Sequence, residues 1–148
     1  MYLKKEDVTG LVIVLVMVLL IAAFFIFAPK APEISYVPVE ATGSALSVAE
    51  PDAEQLGEIT VDAVVKTPGF ITFHQAIGQA PGEVVGRSVF LEPGEYKDFI
   101  IKLAEPLEPV NQYFALMFKD DGDKVYRAGV DLPVMSEGAV IKVRFTTP

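Results

Sequence analysis

The feature that most constrains this chain is an uninterrupted apolar run near its start. The run Leu11–Ala28 reads LVIVLVMVLLIAAFFIFA, 18 residues without a charged or strongly polar side chain. As an α-helix it spans roughly 27 Å, close to the ~30 Å hydrocarbon core of a bilayer. A buried core helix would carry a polar stripe, and a signal peptide would have a shorter apolar run and a small-residue cleavage site. We therefore predict a single-pass transmembrane helix over residues 11–28, with the lipid bilayer as its partner.

Basic residues on the two sides of this run predict its orientation. Lys4 and Lys5 precede it and Lys30 follows it, and the side richer in lysine and arginine usually stays in the cytoplasm. We expect residues 1–10 to be cytoplasmic and the rest of the chain to lie outside the cell membrane. After Lys30 the chain has 9 basic and 18 acidic side chains, a net charge of −9. Such a part repels phosphates, so nucleic acid is not an expected partner.

A proline-rich segment follows the apolar run. Residues 29–56 contain four prolines and lack any sustained helical or strand periodicity. Prolines favour extended conformations, so we predict an extracytoplasmic spacer here. Within it, Ile34–Val37 is a short apolar stretch that can pair with the following domain as an extra edge strand.

Residues 57–148 show the pattern of a β-domain, because short apolar or alternating runs are separated by turn residues. Seven short strands with turns at this spacing are typical of an antiparallel immunoglobulin-like sandwich, and prolines fall between the predicted strands. The fold predicted is therefore all-β, preceded by a single N-terminal transmembrane helix. The seven predicted strands are Ile59–Val65, Phe70–Gln75, Glu83–Leu91, Tyr96–Leu103, Gln112–Lys119, Lys124–Gly129 and Gly138–Thr146.

Alternation within these runs predicts which side chains face the core. Ile141, Val143 and Phe145 share one face of the last strand. By contrast, the run Tyr113–Phe118 is apolar on both faces, which indicates a central strand or one whose outer face is covered. We predict Phe114, Leu116 and Phe118 as candidates for a protein interface, with coverage by the domain's own side chains as the alternative.

Four short motifs occur in an order that resembles a known domain. They are Gly69–His74 (GFITFH), Gly82–Ser88 (GEVVGRS), Leu91–Gly94 (LEPG) and Leu103–Leu107 (LAEPL). Together they resemble an uncharacterised domain of exported and surface proteins in halophilic archaea and some bacteria, over residues 58 to 147. The resemblance implies an exported all-β accessory domain without an established activity, and it supplies no catalytic residues.

The acidic turn Asp120–Asp123 (DDGD) is the one candidate for a metal site. Calcium takes six to eight oxygen ligands, and the spacing departs from that of an EF-hand loop. Aspartate followed by glycine is also a common turn sequence, because both residues tolerate a positive φ. We expect a plain turn without metal or other cofactor, with Asp120, Asp121 and Asp123 as a weak candidate set for calcium.

Catalytic chemistry is not expected. The chain has no cysteine and one histidine, His74, which ends a predicted strand. A blue-copper site needs a cysteine and two histidines, and no G-x-S-x-G motif marks a nucleophilic serine. We expect His74 to be a hydrogen-bonded strand-end residue and the protein not to be an enzyme.

These observations predict a membrane-anchored surface protein whose β-domain acts as a binding, adhesion or accessory-subunit module, with a possible protein partner. The alternative is a pilin-like filament subunit whose apolar helix packs in the filament core. Leu15 and Thr9 weigh against this alternative, because type IV pilins usually have glutamate and a basic residue at the corresponding positions. The mass of the mature N-terminus distinguishes the two.

Overall fold

A computed structural model describes residues 38–148, and these residues form strands and no helix. Within this part of the chain no helix is long and apolar enough to cross a membrane. The cytoplasmic N-terminus at 1–10, the transmembrane helix at 11–28, the first part of the spacer and the Ile34–Val37 edge strand lie outside the described residues and stay predictions.

The described residues contain ten β-strands, which confirms the all-β prediction. Most of the longer strands have alternating or continuous apolar sequences, as in Glu58–Val65, where every second side chain is buried. The strands are β1 Val39–Glu40, β2 Ala45–Val48, β3 Glu58–Val65, β4 Gly69–Ile77, β5 Ala80–Arg87, β6 Gly94–Lys102, β7 Gln112–Lys119, β8 Leu132–Ser136, β9 Ala139–Val140 and β10 Lys142–Thr146.

The strands form two sheets. The small sheet has the antiparallel order β2-β3-β6. The large sheet has the order β1-β8-β7-β4-β5, with β10 also paired to β7 and β9 to β8. Strand β7 is central, because β4 lies along one edge while β10 and β8 share the other. Strands β5 and β6 each pair on one side and are therefore edge strands of their sheets.

A close approach of β4 and β7 requires glycine at position 69. A Cβ atom on Gly69 would lie 1.8 Å from the backbone oxygen of Phe118, so any other residue would push the two strands apart. Gly69 is the first residue of the GFITFH motif and also forms a bridge to Leu91. The motif therefore fixes where β4 meets β7 and the segment after β5.

One hydrophobic core contains side chains from both sheets. Ile59 and Val61 of the small sheet and Ile71 and Phe73 of the large sheet are fully buried in the same cluster. Ile141 and Phe145 are buried in it, and Val143 packs against it, as the alternation of the last predicted strand indicates. The core-facing assignment of this strand is therefore confirmed.

The predicted strands need correction in several regions. The predicted strand Glu83–Leu91 is β5 at Ala80–Arg87, the predicted strand Gly138–Thr146 is divided at Ile141 into β9 and β10, and no predicted strand covers β8. Lys124–Gly129 is not a strand but part of a loop between β7 and β8. The predicted spacer contains β1 and β2, so strand structure begins before residue 57. Both strands are too short to show a periodicity, and β1 pairs in parallel with the distant β8.

The expectation that prolines lie between strands is wrong at two positions. Pro81 lies in β5 and Pro133 in β8. Strand β5 is an edge strand, and Pro133 is the second residue of its strand. Both are places where the missing backbone N–H disturbs the hydrogen-bond ladder least.

Candidate functional site

The outer face of the large sheet, which points away from the common core, carries the three predicted interface residues. Phe114, Leu116 and Phe118 are only 3%, 5% and 8% exposed and form a second, smaller hydrophobic cluster. These residues are therefore covered by the chain itself. A docking protein would meet the side chains that cover them, and an interface here stays a prediction.

Aromatic and cationic side chains provide this cover. The ring of Tyr126 lies edge-on to Phe118, with 5.6 Å between ring centroids, and to Phe70 at 5.8 Å. Over the other end of the face, the Lys142 Nζ lies 5.0 Å from the ring centroid of Phe114. Amphipathic side chains of this kind bury their apolar parts and keep their charged ends in water.

His74 belongs to the same outer face and stacks on Phe118 at 6.1 Å. Its Nδ1 lies 2.9 Å from the carbonyl oxygen of Gly82, and its Nε2 lies 2.8 Å from the Thr72 hydroxyl. The carbonyl can only accept, so Nδ1–H donates to it and Nε2 accepts from Thr72. Burial lowers the pKa of His74, although the bond to Gly82 opposes that shift. The ring is thus hydrogen-bonded, as the sequence predicts, but it lies within β4 and not at its end, because β4 continues to Ile77.

The loop between β7 and β8, residues 120–131, carries Tyr126 and is held by two buried aspartates. Asp120 Oδ2 accepts the backbone N–H groups of Gly122 and Lys124, at 2.9 and 3.2 Å. Asp131 Oδ2 accepts a hydrogen bond from the backbone N–H of Arg127 at 2.8 Å, and Asp131 Oδ1 accepts one from the backbone N–H of Asp121 at 3.2 Å. Partly buried backbone donors are thus satisfied by carboxylates instead of by a strand partner, which is why Lys124–Gly129 does not join the sheet.

The carboxylates of this loop meet in a cluster that differs from the predicted one. One oxygen each from Asp120, Asp121 and Asp131 lies within 4.8 Å of the others. Asp123 instead pairs with Arg127 at 2.6 Å, and Arg127 also contacts Asp121 at 2.9 Å. Sequence reasoning missed Asp131, which is buried and ends the loop. The one signal for it was an acidic residue immediately before a hydrophobic strand.

A groove with a volume of about 1050 Å³ lies beside this loop. Its walls come from edge strand β5 and the segment after it, from edge strand β6, and from Lys124, Val125 and Tyr126 of the loop. Ile100, Val89 and Val125 in these walls are 52%, 71% and 53% exposed. The groove therefore combines exposed apolar side chains with two strand edges that carry unpaired backbone groups.

The charged side chains that line the groove are all basic. Arg87, Lys102 and Lys124 line it, and none of its lining residues is acidic. Lys102 pairs with Glu58 at 3.1 Å and Lys124 pairs with Glu92 at 3.3 Å, two acidic residues outside the lining, while Arg87 has no ion pair among residues 38–148. Apart from these three cations, the lining is mostly apolar.

Comparison with known proteins confirms the resemblance seen in the four motifs. Residues 45–146 match the family described as "Domain of unknown function (DUF7282)". The match begins at β2 and ends with β10, so it includes the acidic loop and the groove. No solved structure matches the chain.

Two curated relatives come from the halophilic archaeon Haloarcula hispanica. The chain is 34% identical over 106 residues to cell surface glycoprotein 2 and 32% identical over 106 residues to cell surface glycoprotein 1. Each alignment covers 70% of this chain but only 11% of the relative. The chain therefore corresponds to one small part of these much longer proteins.

Proposed function

We propose that this chain, which belongs to the DUF7282 family of domains of unknown function, is a membrane-anchored surface module that binds an extended acidic protein segment in its groove. The observation that carries the binding role is the apolar groove between two strand edges, with three basic and no acidic lining residues. The module is proposed to bind without catalysing a reaction.

The surface location has two independent supports. The two relatives that are 32–34% identical over 106 residues are named cell surface glycoproteins. The apolar run at residues 11–28 has the length of a membrane-spanning helix, with more lysines before it than after it. Such a helix would tie the domain to the bilayer from outside.

The proposed architecture is an immunoglobulin-like sandwich. The orders β2-β3-β6 and β5-β4-β7-β10 correspond to the A-B-E and C′-C-F-G arrangements of such domains. A core shared by the two sheets supports the same architecture. In this arrangement β5 and β6 lie at one open side of the sandwich, where the groove is.

An extended segment fits this groove for two reasons. Edge strands bind peptides by adding a strand through backbone hydrogen bonds, while alternate side chains enter apolar pockets. Ile100 and Val89 would contact the apolar side chains of such a segment, and Arg87 would attract its carboxylates. The exposed pairs of Lys102 and Lys124 with glutamates outside the groove can exchange for carboxylates of the segment. An acidic surface without this local positive charge would repel the same segment.

Binding is tested with the full-length chain in detergent and fluorescently labelled peptides of about ten residues that alternate valine with glutamate or with lysine. We expect the glutamate peptide to bind about tenfold more tightly at low salt, a difference that narrows as salt screens the charges. Ile100→Asp should abolish binding. Ile77→Asp is the matched control, since Ile77 is an exposed strand residue outside the groove.

Equal binding of the two peptides, or an equal loss of peptide binding in the Ile100→Asp and Ile77→Asp variants, would contradict the proposed binding role.

The membrane anchor is tested separately by adding protease to intact spheroplasts. Digestion of the β-domain with survival of a short membrane-protected fragment is the expected result, and full protection of the domain would rule out the proposed orientation.

A further inference from the structure

The acidic loop contains a buried carboxylate with unused capacity. Asp120 is 6% exposed, and its Oδ1 is buried without a hydrogen-bond partner among the described residues. The other oxygen of the same carboxylate already accepts two backbone N–H groups. A buried oxygen that carries part of a negative charge is costly to leave unpaired, so we expect a hydrogen-bond donor or a cation beside this atom.

The two carboxylates that lie near Asp120 increase this need. Asp131 is 1% exposed, and an oxygen from each of Asp120, Asp121 and Asp131 lies within 4.8 Å of the others. Among the ion pairs of residues 38–148, none includes Asp120 or Asp131, since Arg127 contacts only Asp121 and Asp123. Three close carboxylates with one cationic neighbour repel one another unless a cation lies between them.

We propose that Asp120, Asp121 and Asp131 bind one calcium ion. Calcium prefers carboxylate oxygens and tolerates irregular geometry with six to eight ligands, so water and loop carbonyl groups can complete the shell. Magnesium demands near-ideal octahedral geometry and gives up its water reluctantly, which suits a cluster of three irregularly placed carboxylates less well. Two of the three ligands are buried, so the ion would be part of the folded loop.

The bound ion would stabilise the wall of the groove. Asp120 and Asp131 stand at the two ends of the loop, and Lys124, Val125 and Tyr126 of the same loop line the groove. Joining both ends through one ion restricts the motion of the segment between them. The calcium site does not depend on the proposed peptide ligand, because calcium binding is measured with the metal alone.

Calcium binding is tested on the full-length chain in detergent, after removal of metal with a chelator. Isothermal titration with calcium chloride should give one site per chain, with a Kd on the order of 10⁻⁴–10⁻³ M, the range of extracellular calcium modules. At about 10 mM calcium, binding to the folded state alone should raise the melting temperature by about 5 °C or more relative to chelator at matched ionic strength. Magnesium at the same concentration should raise it by less than half as much.

Two variants in the same loop separate a specific site from general charge effects. Asp121 and Asp123 both pair with Arg127, but only Asp121 belongs to the cluster. Asp121→Asn should weaken calcium binding about tenfold, while Asp123→Asn should change it by less than about threefold. Circular dichroism in the presence of chelator checks that both variants fold. If Asp121→Asn does not fold, Asp121→Ser replaces it.

Three results would overturn the calcium site. The first is that calcium gives neither a heat of binding nor a rise in melting temperature with the unaltered chain. The second is that Asp121→Asn and Asp123→Asn weaken calcium binding equally, and the third is that magnesium raises the melting temperature as much as calcium does. The first of these needs no variant, so the proposal stays testable whatever the variants do.

Discussion

The two faces of the large sheet are both buried, but different parts of the molecule cover them. The inner face meets the small sheet, and Phe73 and Met117 lie there in a core built from many strands. The outer face is covered by the loop at 120–131 and by single side chains such as Lys142. One face is thus closed by regular structure and the other by a loop whose shape depends on buried carboxylates. Each β4 and β7 residue contributes to one face or the other, so substitutions can test the two separately.

The largest expected difference comes from deleting one phenylalanine ring on each face. Phe73→Ala should lower the free energy of unfolding by about 3–5 kcal/mol, because Phe73 is fully buried and the surrounding strands cannot close the cavity. Phe118→Ala should cost less, about 2–3 kcal/mol, because Tyr126 and the loop can move into the space. Urea unfolding of the full-length chain measures both values. A larger loss for Phe118→Ala would contradict the distinction between the faces.

Removing the cover of the outer face should have a moderate effect. Tyr126→Ala removes the edge-on ring contacts with Phe70 and Phe118. It also removes the contact with the Arg87 guanidinium, which lies 5.8 Å from the centroid of the Tyr126 ring. We expect a loss of about 2 kcal/mol, since aromatic pairs contribute beyond the area they bury. Thermal melts provide the measurement, with Tyr126→Phe as the control that keeps the ring. A Tyr126→Ala protein as stable as the unaltered chain would show that the ring is not needed as cover.

The smallest expected effect depends on pH and arises at His74. Burial lowers the pKa of His74 in the folded protein below its ordinary value of 6.5. As the pH falls, the imidazole is therefore protonated in the unfolded chain before it is protonated in the folded one. The stability that His74 contributes is complete above pH 6.5 and decreases as the pH falls below that value. Urea unfolding between about pH 7.5 and about pH 5.5 should therefore show a steeper loss for the unaltered chain than for His74→Gln. If the free energy of unfolding depended on pH in the same way in both proteins, the pKa of His74 would not be lowered by folding.

Sequence patterns predicted the parts of the fold that depend on local alternation. Strands β3, β4, β6, β7 and β10 were found because each is long enough to show which side chains are apolar. The alternation also divided Tyr113–Phe118 correctly into two faces. Strands β1 and β2 were missed because both are short, and β1 pairs with a strand far away in the sequence. Strand β8 was missed because Pro133 was expected to lie between strands, whereas the two-residue β9 falls within the predicted strand Gly138–Thr146.

The candidate sites were predicted less well because they depend on contacts between distant residues. The segment Lys124–Gly129 has a strand-like sequence, but the Asp131 carboxylate binds the backbone N–H of Arg127 and keeps it in a loop. Asp123 is close to Asp121 in sequence but is drawn to Arg127 instead of to the cluster. The groove draws on β4, β5, β6 and the loop together, so no single segment of the sequence indicates it.

The difference between the two faces depends on an ordered loop with which the chain closes its own outer face. Native-state hydrogen exchange on the full-length chain tests this most directly. The backbone amides of Gly122, Lys124 and Arg127 are bound by buried carboxylates, so they should exchange far more slowly than the amide of Gly78 in the exposed β4–β5 turn. Exchange of the three loop amides as fast as that of Gly78 would contradict the account.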